Sequence, residues 1–215
     1  MRALTLSLIL AAGANLPAGA QANCLDQIKF PAVGRWAEYK AVYNKKDPYT
    51  VRYAVIGAEE RGGKTLDWVE LRMKGENKDH NMVYQMLVPG SLMHMGDVEE
   101  IVFKSGEKPA MKMNGMMMKM IRGQMEKQNL YSDICQDVTL VGKEAVTVPA
   151  GRFQAQHYHS TKYGSDSWIS PGVPFSLVKS VGENHQMELT SQGSGAKSSI
   201  TEKPQEMPGM GGPSQ

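Results

Sequence analysis

The chain has 215 residues with 41% apolar and 21% charged side chains, which excludes a largely disordered acidic or basic protein and fits one substantial core. A formal charge of +2, with basic residues dispersed and no aromatic interleaving, excludes a nucleic-acid interface. The unusual number is 16 Met, 11 of which lie between Met82 and Met125.

Residues 1–22, MRALTLSLILAAGANLPAGAQA, read as an export signal. Arg2 supplies the positive start, Leu4–Ala12 the short apolar run, and Ala20-Gln21-Ala22 the small-x-small cleavage pattern. No stretch is long and apolar enough for a transmembrane span. The reading is an exported, periplasmic protein that begins at Asn23. Cys24 and Cys135 are the two cysteines, and in an oxidising compartment they are expected to form one disulfide.

Trp36–Tyr43 is an aromatic, β-prone run. Val51, Tyr53 and Val55 then alternate with Arg52 and Ala54, the period of a half-buried strand. Glu60-Arg61-Gly62-Gly63-Lys64 is a hairpin turn leading to a strand over Leu66–Met73, and Met82–Val88 is a further strand stopped by Pro89-Gly90. In the second half, strand signals cover Val138–Val148, Phe153–Ser160, Ser167–Ser170, Phe175–Val181 and Gln186–Thr190, with turn residues between them. This spacing points to an antiparallel meander within a domain over residues 23–192. Residues 193–215 lack aromatics and are dense in Gly, Pro and Ser, so they read as a disordered tail.

Pro109–Gln128 breaks the β pattern. At 100° per residue, Met113, Met116, Met117, Met120 and Ile121 share a face, and Met111, Met118 and Met125 widen it. This segment is expected to be an amphipathic helix packed on the sheet, lining a lipid-accepting concavity, or offering thioethers to a soft metal. Met93-His94-Met95 would serve that metal alternative. His157 and His159 point to the same strand face but have no completing ligand at diagnostic spacing, so they read as a surface pair. Glu59-Glu60 and Glu99-Glu100 read as solvated charges. There is no G-x-S-x-G, P-loop, G-x-G-x-x-G or H-E-x-x-H motif, so no enzyme activity and no cofactor are expected.

Several blocks carry a family resemblance. GRWAEYK at 34–40, VRYAVIG at 51–57, Trp68-Val69-Glu70, Val148-Pro149-Ala150-Gly151-Arg152-Phe153, His157-Tyr158 and the run from Trp168 to Lys179 resemble the LolA-like group of periplasmic lipoprotein carriers and their relatives. The resemblance covers roughly residues 34–190. It implies a mainly β (α+β) fold, a curved antiparallel half-barrel sheet with a helix over the concave face, and no catalytic residues. The ligand it implies is a lipid or lipoprotein acyl chain, with an envelope protein as a possible partner. The lining is then expected from Met113, Met116, Met117, Met120 and Ile121, opposite Trp68 and Met86, with Lys112, Lys119 and Arg122 near anionic headgroups. The alternatives are a Met-rich copper-handling protein and a structural envelope domain without ligand.

Overall fold

The computed structural model describes residues 24, 26–44, 48–76, 81–90, 97–125, 135 and 137–207. The signal segment and Met93-His94-Met95 lie outside the described residues. The described chain forms one sheet of twelve strands in the order β12-β6-β5-β4-β3-β2-β1-β11-β10-β9-β8-β7. All pairings are antiparallel except the parallel contact of β12 with β6.

The first half is a meander of β1 (Trp36–Tyr43), β2 (Tyr49–Arg61), β3 (Lys64–Lys74), β4 (Met82–Val88), β5 (Glu100–Ser105) and β6 (Met111–Lys112). Gly62 and Gly63 form the β2–β3 loop, with φ of 56° and 74°. A two-residue loop with both φ positive matches the twist of the strands it joins, and glycine meets that demand without steric cost. The second half contains β7 (Val138–Val148), β8 (Gly151–Ser160), β9 (Ser165–Ile169), β10 (Leu177–Gly182) and β11 (His185–Gly193). A bulge between Leu140 and Gly142 interrupts the register of β7 without ending the strand. The strand expected from Phe175 begins at Leu177, because Phe175 and Ser176 adopt φ of 62° and 61° in the turn before it.

β1 joins the halves by pairing with β2 on one side and β11 on the other. The sheet is curved and unclosed. β7 pairs only with β8, yet it lies against β10 and β11, and Ala150 N donates to Leu189 O at 3.1 Å. The curl brings Val148 and Ala155 into the main core with Ala37, Tyr39, Val55, Val69, Met86, Ile101, Phe175 and Leu189. The face carrying this core is called inner below, and the opposite face outer. Cys24 and Cys135 are joined as expected, 111 residues apart, and pack with Val138, Tyr158 and Ile169. Closing a loop of that length stabilises the fold by about 4–5 kcal/mol in the chain-entropy account.

The outer face of β1–β5 is covered by the segment expected to be disordered. Residues 194–207 are ordered as a strap that crosses the sheet and ends in β12 (Gln205–Glu206). At its start, a Cβ on Gly193 would come within 2.7 Å of the Trp36 ring, so only glycine lets the chain pass there. Trp36 Nε1 donates to Ser194 O at 3.3 Å, and Ala196 N to Gly34 O at 2.9 Å. Glu70 is buried beneath the strap, and its Oε2 accepts from Gln85 Nε2 at 2.9 Å and from Ser199 N at 2.8 Å. Ile200 packs with Val102 and Ala110, and Lys104 pairs with Glu202 at 2.5 Å. Low complexity did not reveal this because one isoleucine and backbone hydrogen bonds anchor a Gly- and Ser-rich run. Ile200→Ala is expected to lower unfolding stability by about 2 kcal/mol, measured as a fall in the urea midpoint with unchanged slope. A wild-type midpoint would show that the strap adds nothing to the fold.

Candidate functional site

Helix α1 (Gly115–Met125) begins later than the Pro109 expected from sequence, and residues 126–128 of that expectation lie outside the described residues. The residues before it are drawn into the sheet, where Phe103 pairs with Met111 and Val102 with Lys112. Asn114 then caps the helix. Its Oδ1 accepts from Met117 N at 3.1 Å, and its carbonyl accepts from Met118 N at 2.9 Å. At the far end, Arg122 Nε donates to Val98 O at 2.7 Å and Nη2 to Glu99 O at 3.3 Å. These bonds pin α1 to the segment leading into β5.

The helix meets the inner face, but rotated from the expected orientation. Met118 is the methionine driven into the core, at 6% exposure, and Met113 and Ile121 pack partly against the same cluster. Met117 is half-buried. Met116 and Met120 point outward, at 69% and 52% exposure. Met116, Met117 and Met118 span some 200° of the helix, so at least one must face away from the sheet. With methionine spread over so wide an arc, periodicity alone leaves the rotation undetermined. Met113 reaches the core from just before the helix rather than from its face.

The strand residues expected opposite the helix separate as well. Met86 lies on the inner face, opposite Val69 on β3 and Ile101 on β5. Trp68 pairs with Leu87 and therefore points to the outer face, where it packs near Ile200 and donates Nε1 to Glu59 at 2.9 Å. Trp68 is thus part of the strap's bed and not of a lining shared with Met86. Val69, Ile101, Val55 and Phe175 share the inner core with Met118, and none of them was expected as lining.

The cations expected near headgroups divide too. Lys112 pairs with Glu100 at 2.9 Å, Arg122 is engaged by the two carbonyls, and Lys119 is exposed. Glu100 also takes Arg61 at 2.8 Å and is largely buried, so it is a bound anion rather than a solvated one. Glu59 is engaged too, by Trp68 and Arg61, and these hydrogen bonds hold its carboxyl below the usual value.

A second group stands on β7–β9. His157 and His159 share a face as expected, and two carboxylates join them across the strands. Asp166 Oδ1 lies 2.8 Å from His157 Nε2 and 3.0 Å from His159 Nδ1. Glu144 Oε1 lies 3.1 Å from His157 Nδ1 and accepts from Trp168 Nε1 at 2.6 Å. Trp168 stacks on His157 with ring centroids 4.5 Å apart. Burial alone would raise the Asp166 carboxyl, but the bonds from both histidines outweigh it and hold the group below its ordinary value. Spacing in sequence could not place Glu144 or Asp166 here, because cross-strand register decides it.

No family model matches the chain, and no curated protein matches it. Two solved structures align over most of its length. One, described as an exported protein with a YmcC-like fold from Bacteroides fragilis NCTC 9343, is 12% identical with a TM-score of 0.36 over 78% of this chain and 99% of its own. The other, described as a lipoprotein from Parabacteroides distasonis ATCC 8503, is 11% identical with a TM-score of 0.36 over 77% of this chain and 98% of its own. Overlap of that extent transfers neither fold nor function, and the LolA-like resemblance is carried by the sequence blocks and not by these comparisons.

The split of α1 predicts a contrast between neighbouring methionines. Met118→Ala is expected to cost about 2–3 kcal/mol and Met116→Ala less than about 0.5 kcal/mol. Equal losses in urea unfolding would contradict the helix orientation.

Proposed function

We propose that this is an exported, non-catalytic binding protein for lipid or lipoprotein acyl chains, working in the periplasm of a two-membrane envelope. The chain would enter at the seam between α1 and the inner face. The observation that carries this reading is the distribution of apolar side chains on α1. One methionine seals the core, Met113, Met117 and Ile121 stand at the seam, and Met116 and Met120 are left to solvent. Unbranched thioether side chains re-pack around partners of variable shape. Among the described residues α1 is held by Met118, the lighter contacts of Met113 and Ile121, a cap and two bonds from Arg122, and it would lift while the sheet stays paired. Each buried methylene of a ligand is worth about 0.8 kcal/mol, so a few carbons inserted at the seam offset the loss of the Met118 contact. Lys119, exposed between Met116 and Met120, would meet an anionic headgroup.

A copper-handling role is the second reading. Met116 and Met120 place two exposed thioethers one helical turn apart, and thioethers are soft ligands suited to Cu(I). Met93, His94 and Met95, the other ligands of that reading, lie outside the described residues.

Native mass spectrometry of the protein purified from its own envelope separates the two. The expected spectrum shows co-purifying lipid that is depleted in Met117→Asp, a change that puts a charge at the seam. A stoichiometric Cu(I) adduct with no lipid would overturn the acyl-chain reading.

A further inference from the structure

The outer face of β1–β3 carries positive charge that neither the strap nor the acyl-chain reading uses. The strap lies along one row of the sheet, which holds Trp36, Glu70, Gln85 and Val102. The next row runs from Glu38 through Arg52, Arg72 and Val83 to Lys104. The row after it runs from Lys40 through Thr50 to Lys74. Residues in register on antiparallel strands point to the same face. Lys40, Arg52, Arg72 and Lys74 therefore stand around Thr50, beside the strap and on the face away from α1.

Arg52 and Arg72 are directly opposite one another, an arrangement unfavourable for like charges. The carboxylates nearby do not resolve it. Glu38 faces Arg52 from β1 and accepts from Ser191 Oγ at 3.4 Å. Glu70 is turned under the strap to Gln85 and Ser199. Glu188 is taken by Lys179 at 2.8 Å, and Glu202 by Lys104. Among the described residues no carboxylate forms an ion pair with Lys40, Arg52, Arg72 or Lys74. The Arg52 guanidinium is nevertheless held in place, with Cζ 4.3 Å from the centre of the Trp36 ring. Its Nε is buried and has no hydrogen-bond partner among the described residues. Burial first, and then Arg72, lower its pKa against the opposing pull of Glu38 and Glu70. A bound anion would relieve the opposition of the two guanidinium groups.

We propose that Arg52, Arg72, Lys74 and the Thr50 hydroxyl form a binding site for a phosphate group, borne by a soluble ester or by a lipid headgroup, with Lys40 at its rim. Side chains directly opposite on antiparallel strands have Cβ atoms about 4.5–5.5 Å apart, so both guanidinium groups can reach one anion. Guanidinium forks match phosphate oxygens in pairs, and an ammonium adds a point charge that adjusts to them. A phosphate monoester offers three acceptor oxygens and up to two charges, which suits donors arriving from two arginines, a lysine and a hydroxyl. A carboxylate brings two oxygens and one charge to the same four groups. The face is open, so the site holds the phosphate itself and leaves its carrier outside. It stands whether or not an acyl chain binds beneath α1.

Inorganic phosphate is the first probe, titrated into the full mature chain against chloride at equal ionic strength and followed by the arginine Nε–H signals. The expected result is saturable one-site binding in which the Arg52 and Arg72 signals move together, with a rise in Tm that chloride does not give. Arg72→Gln removes the like-charge opposition. Its Tm without phosphate is expected to equal or exceed that of the wild type, while its phosphate affinity falls by about tenfold or more. Lys74→Gln, an exposed change, should weaken binding by a smaller factor and leave Tm unmoved. Phosphatidylglycerol vesicles are the second probe. Retention on them that inorganic phosphate displaces assigns the group to a lipid headgroup, and saturation by phosphate without retention assigns it to a soluble ester; either result supports the site. Shifts no larger than those in chloride would overturn the proposal, as would wild-type affinity in both variants. A lowered Tm for Arg72→Gln with phosphate binding intact would make Arg72 a structural residue and overturn it equally.

Discussion

The pairing of β1 with β11 is the contact on which the rest of the structure depends. β1 lies near the start of the described residues and β11 towards their end, and among those residues no other pairing joins the two meanders. Its register, shifted by a bulge between Glu38 and Tyr39, aims Ala37, Tyr39 and Ala41 inward together with Leu189 and Met187. A slip of one residue would turn this whole set to the outer face. The same register brings Gly193 under the Trp36 ring, which is where the strap leaves the sheet. Tyr39 also donates to Leu177 O at 3.0 Å, tying the centre of β1 to the turn that holds Phe175. Both coverings of the sheet are therefore referenced to one long-range pair of strands.

An open sheet has two faces to protect, and this chain treats them differently. The outer face of the first half is closed by bonds that depend on the backbone and on a buried carboxylate: Glu70 with Gln85 and Ser199, then Ile200, then the parallel contact of β12 with β6. The inner face is closed by side-chain packing, with Met118 and Phe175 as its deep contributions. Backbone hydrogen bonds demand one geometry, whereas methionine packing tolerates several. That contrast places the adaptable surface at α1 and the fixed one under the strap. It also answers the question raised by the methionine excess, because two of the helical thioethers face water and are not core at all. The third surface, β7–β9, carries a hydrogen-bonded group of His157, His159, Asp166 and Trp168.

Much of the sheet was legible in sequence because alternation and turn chemistry are local. The runs at Trp36–Tyr43 and Met82–Val88 coincide with β1 and β4, and Gly62-Gly63 falls at the β2–β3 turn. The cysteine pair was legible from count and compartment. The strand Glu100–Ser105 was not singled out, although Ile101 and Val102 are both buried, one on each face. A strand buried on both sides loses the polar–apolar alternation that marks a half-exposed one. The strap failed for the opposite reason: its composition is that of a tail, and what orders it is the bed supplied by Trp68, Val83 and Val102. At the site, Trp68 and Met86 looked equivalent as large apolar strand residues, and only the register Trp68–Leu87 and Val69–Met86 shows that they face apart. Likewise the two histidines were visible, whereas Asp166 and Glu144 reach them across strand pairs.

In the proposed function α1 is a covering that yields to an acyl chain while the sheet beneath keeps its pairing. Hydrogen–deuterium exchange of the mature chain, with and without a saturated acyl-chain ligand dispersed below its micellar concentration, tests this most directly. The predicted result is a ligand-dependent change in protection confined to α1 and to the inner-face strands β3–β5 around Val69, Met86 and Ile101, with β1 and β11 unaffected. Ligand-induced protection at the strap or at β7–β9 with none at α1 would contradict it.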